Sequence, residues 1–67
     1  MIEVQSIDLN PQTKTAKVFL MCDTKEEVTA DAKIDGLPAG YTLAPFSKCM
    51  TKSRELAFLG SDGQWAW

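Results

Sequence analysis

The sequence contains no histidine. That absence removes the commonest general base, the Ser-His and Cys-His nucleophile arrangements, and most zinc ligand sets. There are only two cysteines, Cys22 and Cys49. Two thiolates cannot complete a structural zinc site, which needs four ligands. Neither cysteine belongs to a Cys-x-x-Cys pair, and no clustered cations would lower a thiol pKa. Arginine is nearly missing too: Arg54 stands alone beside Lys14, Lys17, Lys25, Lys33, Lys48 and Lys52, all scattered among acids. With a net charge of −2, the chain lacks the clustered basic footprint that nucleic acid binding needs.

Long apolar runs are absent as well. The longest, Val18–Cys22, is strand-sized and far short of the ~20 residues of a membrane span. The start, Met1-Ile2-Glu3, has no basic lead and no small-residue cleavage site, so no signal peptide is expected. The expected location is the cytoplasm of the producing cell. In a reducing compartment the cysteines read as two buried thiols acting as small hydrophobes. A disulfide between them would staple a thin core.

No phosphate loop occurs: Gly36-Leu37-Pro38-Ala39-Gly40 has the wrong glycine spacing and no Lys-Ser/Thr ending. Asp23-Thr24-Lys25-Glu26-Glu27 lacks the alternating ligands and the glycine of a calcium loop, and reads as a solvated turn. Glu26 and Glu27, if on a strand, would point to opposite faces and could not act as paired carboxylates. No enzyme, catalytic residue, metal site or cofactor is expected.

What remains is a small globular domain. Its 67 residues are 45% hydrophobic and 24% charged, too apolar for a disordered tail. A chain this short hides only about 60% of its unfolded surface, so its stability margin is thin.

Periodicity speaks for strands throughout. Ile2 and Val4 alternate with polar neighbours, the phase slips by one, and Ile7 and Leu9 resume, which predicts a bulge near Gln5-Ser6. Asn10-Pro11-Gln12-Thr13 reads as a turn. Thr15–Cys22 alternates Ala16, Val18, Leu20 and Cys22 against Thr15, Lys17, Phe19 and Met21. Both sets turn apolar towards the end, which predicts a central strand covered on both sides there.

Thr24 and Glu27 have capping-box spacing, enough for one helical turn. Val28, Ala30, Ala32 and Ile34 then alternate again, predicting a half-buried strand with something large over the two alanines. Tyr41-Thr42-Leu43 predicts a short strand, with Pro45 placing the stretch at an edge or bend. Ser47–Met50 is expected to pair with Glu55–Leu59 across the connection Thr51–Arg54. Asp62-Gly63 predicts a last hairpin to Gln64–Trp67. The fold class is all-β: one domain over residues 1–67, five to six short strands in an antiparallel meander, closed as a compact barrel or stacked as a two-layer sandwich.

Four aromatics are candidates for an interface: Trp65, Trp67, Tyr41 and Phe46. The two tryptophans are two residues apart and so share a face of a strand. Phe58 and Leu56 are expected to face them. Trp65 reads as a core residue and Trp67 as the exposed anchor, since tryptophan is enriched at binding hot spots.

The stretch Gly36–Ser47, followed by Glu55–Trp65 with its strand, Asp-Gly turn and tryptophan, resembles small accessory proteins encoded by phages and prophages of Gram-positive and gut bacteria. The resemblance implies a head, neck, tail or fibre-associated module. Such a protein works by shape and self-association, as a homo-oligomer or with other phage structural proteins, and not on nucleic acid or membrane. Two alternatives stand beside it. One is a carbohydrate- or peptide-binding module using Trp65 and Trp67. The other is a small inhibitor or modulator of a host protein.

Overall fold

The alternation of Val4, Ile7 and Leu9 forms a strand, β1 (Glu3–Asn10), in the computed structural model, which describes residues 1–29 and 32–67. β1 pairs antiparallel with β2 (Thr15–Cys22), and the register shifts between Val4 and Ser6. This is the expected bulge. It returns Ile7 to the face that Val4 occupies, so both pack on the core. The turn between the strands is held by Asn10, whose Oδ1 accepts the Gln12 N–H at 3.1 Å.

One face of β2 is the centre of the molecule: Ala16, Val18, Leu20 and Cys22 are all buried. The other face differs from expectation. Phe19 and Met21 are only half-buried and Lys17 is exposed, so β2 is covered on one side.

After β2 comes a single 3₁₀ turn at Lys25–Glu27. The Glu27 carboxylate accepts the backbone N–H groups of Asp23 and Thr24, each at 2.9 Å, as the capping spacing predicts. The expected strand over Val28–Ile34 is not formed. Val28, Thr29 and residues 32–34 lie outside any strand, and Ala30 and Asp31 fall outside the described residues. The alternation still has a meaning. Val28 and Ile34 are buried against the inner face of β2. Burial at alternate positions does not by itself require a ladder.

Four more strands follow: β3 (Thr42–Leu43), β4 (Lys48–Thr51), β5 (Leu56–Leu59) and β6 (Trp65–Ala66). All belong to one sheet in the order β1-β2-β4-β5-β6, with β3 also on β2. The two C-terminal hairpins are antiparallel as expected. The connection in the middle corrects the meander: β2 pairs in parallel with both β3 and β4. A parallel return needs a crossover of a dozen or more residues, and the chain from 23 to 41 supplies it. The described strands make one open sheet, not a closed barrel. The layer over its inner face is irregular chain carrying Val28, Ile34 and Leu37, not a second sheet. Among the described residues there is no α-helix, and no helix long and apolar enough to cross a membrane.

The parallel seam has a gap. β3 reaches only as far as Ala16↔Leu43, and β4 begins at Phe19↔Lys48. The buried N–H of Val18 falls between them. Ser47 fills that place: its Oγ accepts the Val18 N–H at 3.1 Å and donates to the Ala44 carbonyl at 2.8 Å. The Ser47 side chain is fully buried. Replacing it with Ala orphans a buried donor, which costs ~1–3 kcal/mol. Ser47→Ala should therefore lower the urea midpoint by that equivalent with an unchanged m-value. A midpoint equal to wild type would show that the seam does not depend on this hydroxyl.

Candidate interaction surfaces

The sheet has two faces of different character, and register assigns each residue to one. On the inner face, Val4, Leu20, Cys49 and Ala57 form one row, and Leu59 pairs with Trp65. On the outer face, Ser6, Phe19, Lys48, Phe58 and Ala66 form a row that crosses five strands. A second outer row holds Glu3, Met21, Met50 and Leu56. The outer face is thus an apolar band with Lys48 in its middle, between Phe19 and Phe58, and with Glu3, Asp8 and Lys17 towards its margins. Lys48 Nζ lies 5.2 Å from the Phe19 ring centroid, close enough for a cation–π contact.

The four aromatics singled out from the sequence do not form one site. Trp65 is half-buried and packs on the core. Its cross-strand neighbour is Leu59, while Phe58 pairs with Ala66 and points to the opposite face. The expected pairing of Trp65 with Phe58 and Leu56 is off by one residue, and one residue on a strand exchanges the faces. Trp67 is 43% exposed.

Tyr41 and Trp65 line the same cleft of about 300 Å³, together with Ala32, Leu37 and Leu43. Ala32, over which a large residue is expected, borders this cleft with Trp65; the partner alanine, Ala30, lies outside the described residues. Lys14 Nζ sits 5.6 Å from the Tyr41 ring centroid.

Phe46 belongs elsewhere. It is 72% exposed, with a φ of 71°. Left-handed backbone is costly for an aromatic residue and persists only where neighbours impose it. Here the neighbours are explicit: the Phe46 N–H donates to Leu59 O at 2.9 Å, and the next residue is the buried Ser47. Together with Phe19, Lys17 and Lys48, Phe46 borders a groove of about 430 Å³ at one end of the outer face. Sequence reasoning missed Phe19, Met50, Leu56 and Phe58 as a surface. The available signal was that the alternate residues of all these strands remain apolar.

Charges gather at the opposite end. Asp23 lies 2.8 Å from Lys52 Nζ and also meets the N-terminal ammonium. Hydrogen bonds from those two cations hold its carboxyl at about 2, below the ordinary 3.8. Glu27 is also lowered, first by the N-terminal ammonium and then by the Thr24 N–H. Among the described residues no three His, Cys, Asp or Glu side chains come together as a metal-binding group.

These features define an all-β domain whose sheet is covered on one side and open on the other. Comparison with protein-family models, with curated proteins and with solved structures finds no match to this chain.

Two measurements test this description. Because the folded Asp23 carboxyl titrates below its unfolded value, its contribution is complete above pH 3.8 and is lost as pH falls through about 2. The melting temperatures of wild type and Asp23→Asn should thus differ above pH 4 and converge towards about pH 2. A constant gap would mean that the ion pair is not the cause. For the tryptophans, Trp65→Ala should lower stability by about 2–4 kcal/mol, since it empties a site packed on the core. Trp67→Ala should stay within about 1 kcal/mol of wild type. Chemical denaturation followed by circular dichroism checks both, and equal losses would refute the division between them.

Proposed function

We propose that this protein is a non-enzymatic structural or assembly accessory of the phage type, acting through protein–protein contacts that include self-association. Its place would be the cytoplasm of the bacterial host or the virion. The observation that carries this reading is the uncovered outer face, where Phe19, Met21, Met50, Leu56 and Phe58 present an apolar band around Lys48. Phe58 and Leu56 are 45% and 42% exposed. A sheet with one bare apolar face is half of a sandwich, and a second sheet packs at ~10 Å over such a face.

The surface area agrees with that picture. A compact monomer of 7.4 kDa should expose roughly 4200 Å². This chain exposes 4596 Å². A second copy is the favoured occupant because the face carries both signs, Lys17 and Lys48 against Glu3 and Asp8. A face of mixed charge can meet its own copy, whereas a single-signed one repels it.

The carbohydrate or peptide reading keeps one specific support, the cleft shared by Trp65 and Tyr41. A single experiment separates the two readings. Light scattering at high micromolar concentration should give a multimer for wild type and a monomer for Phe58→Lys, with unchanged circular dichroism. A wild-type monomer that shifts its tryptophan fluorescence on addition of glycans would reverse the order. A monomer without response would leave the assembly reading refuted.

A further inference from the structure

Cys22 and Cys49 are both free, and both are buried in the core. They come from the two parallel neighbours β2 and β4, and their sulfurs are 3.4 Å apart. Cys49 pairs in register with Leu20, so Cys22 is its diagonal neighbour on the inner face. A disulfide requires the sulfurs to approach by a further ~1.4 Å, and, because diagonal neighbours stand ~7–8 Å apart along the backbone, it also requires β4 to move against β2.

We propose that Cys22 and Cys49 are an oxidation site, converted by peroxide into an intramolecular disulfide that staples β2 to β4. The order of events follows from access. Cys22 borders a cleft of about 360 Å³ lined also by Met1, Glu3, Met21, Asp23 and Lys52. Cys49 is fully buried. Burial, and then its hydrogen bond with Cys22, pushes the Cys49 thiol up to about 12, so it does not attack first.

The Cys22 sulfur, as thiolate, attacks one oxygen of hydrogen peroxide. The O–O bond breaks, and the departing hydroxide takes up the thiol proton as water. Cys22 is now a sulfenic acid. The Cys49 sulfur then attacks the Cys22 sulfur, the S–O bond breaks, and hydroxide leaves with the Cys49 proton as a second water. In net terms, two thiols lose two hydrogens and one peroxide becomes two waters.

The bond would close a loop whose ends are 27 residues apart. That loop contains the 3₁₀ turn and the irregular chain that covers the core. Cross-linking it restricts the unfolded chain, so the oxidised protein should melt higher by about 10 °C or more.

The test treats folded protein with hydrogen peroxide and reads three quantities: thiols titrated under denaturing conditions, intact mass without reductant, and Tm. The expected result is loss of both thiols, a mass lower by two hydrogens, a monomer on a non-reducing gel, and a higher Tm reversed by dithiothreitol. Cys22→Ser and Cys49→Ser should each lack the mass change and the Tm rise. Protein unfolded in guanidinium and then oxidised supplies the disulfide standard, so failure of the folded protein to react cannot be blamed on the reagent. Thiols that stay titratable would overturn the proposal. So would covalent dimers, accumulation of sulfinic acid, or a Tm that is unchanged or lower after oxidation.

Discussion

The structure depends on the parallel seam between β2 and the chain that returns to it. Everything else in the sheet is local: one hairpin before the seam and two after it. Only this pairing joins the N-terminal and C-terminal hairpins into one sheet. It is held by ladder bonds and by a serine. Where β3 has ended and β4 has not begun, the Ser47 hydroxyl stands in for a backbone carbonyl. That placement fixes the turn before it and with it the left-handed backbone of Phe46. Beyond the far end of β4 the Lys52 N–H reaches Cys22 O at 3.1 Å, so the seam is closed from both sides.

The seam also explains why the core is small. The inner face of β4 presents Cys49 and Thr51, and Ser47 precedes them on the same side. With Leu20 they are the largest fully buried side chains, and only Leu20 is aliphatic. Each buried hydroxyl must then be satisfied, and it is. Thr51 Oγ1 accepts the Glu55 N–H at 3.1 Å and lies 3.0 Å from Ser53 Oγ. Hydrogen bonds of this kind specify one arrangement more than they stabilise it, because water competes for the same groups in the unfolded chain. A domain of this size gains little from a core so poor in large side chains. Several of its larger apolar residues, Phe19, Met50, Leu56 and Phe58, lie on the face that the chain does not cover itself.

Local features were legible in the sequence and non-local ones were not. The bulge at Gln5, the turn at Asn10-Pro11, the one-turn helix before Val28 and the hairpins around residues 51–54 and 60–63 each rest on residues close in sequence. The parallel pairing joins Phe19 to Lys48, and nothing near either residue announces the other. The only trace was the length of the stretch between Cys22 and Tyr41, too long for a tight turn. Ser47 was hidden for a related reason. A serine before a strand usually sits in solvent, and only the gap in the ladder makes it a buried partner. The strand expected over Val28–Ile34 fell to a different ambiguity, since burial of alternate residues looks the same with or without a pairing partner.

The aromatic residues show how far one residue of phase matters for function. Sequence spacing groups Trp65 with Phe58, as if one patch did all the binding. The register divides them: Trp65 with Leu59 inside, Phe58 with Lys48 outside. Trp65 thereby helps close the inner layer over Leu43 and Ile34. Among the described residues none closes the outer face in this way, and its band crosses every strand of the main path from Ser6 to Ala66. A contact made there would press on β2 and β4 together, the two strands whose pairing is the least local in the chain. Association at this face and stability of the seam should therefore be coupled, because a partner laid across both strands binds only when they are side by side.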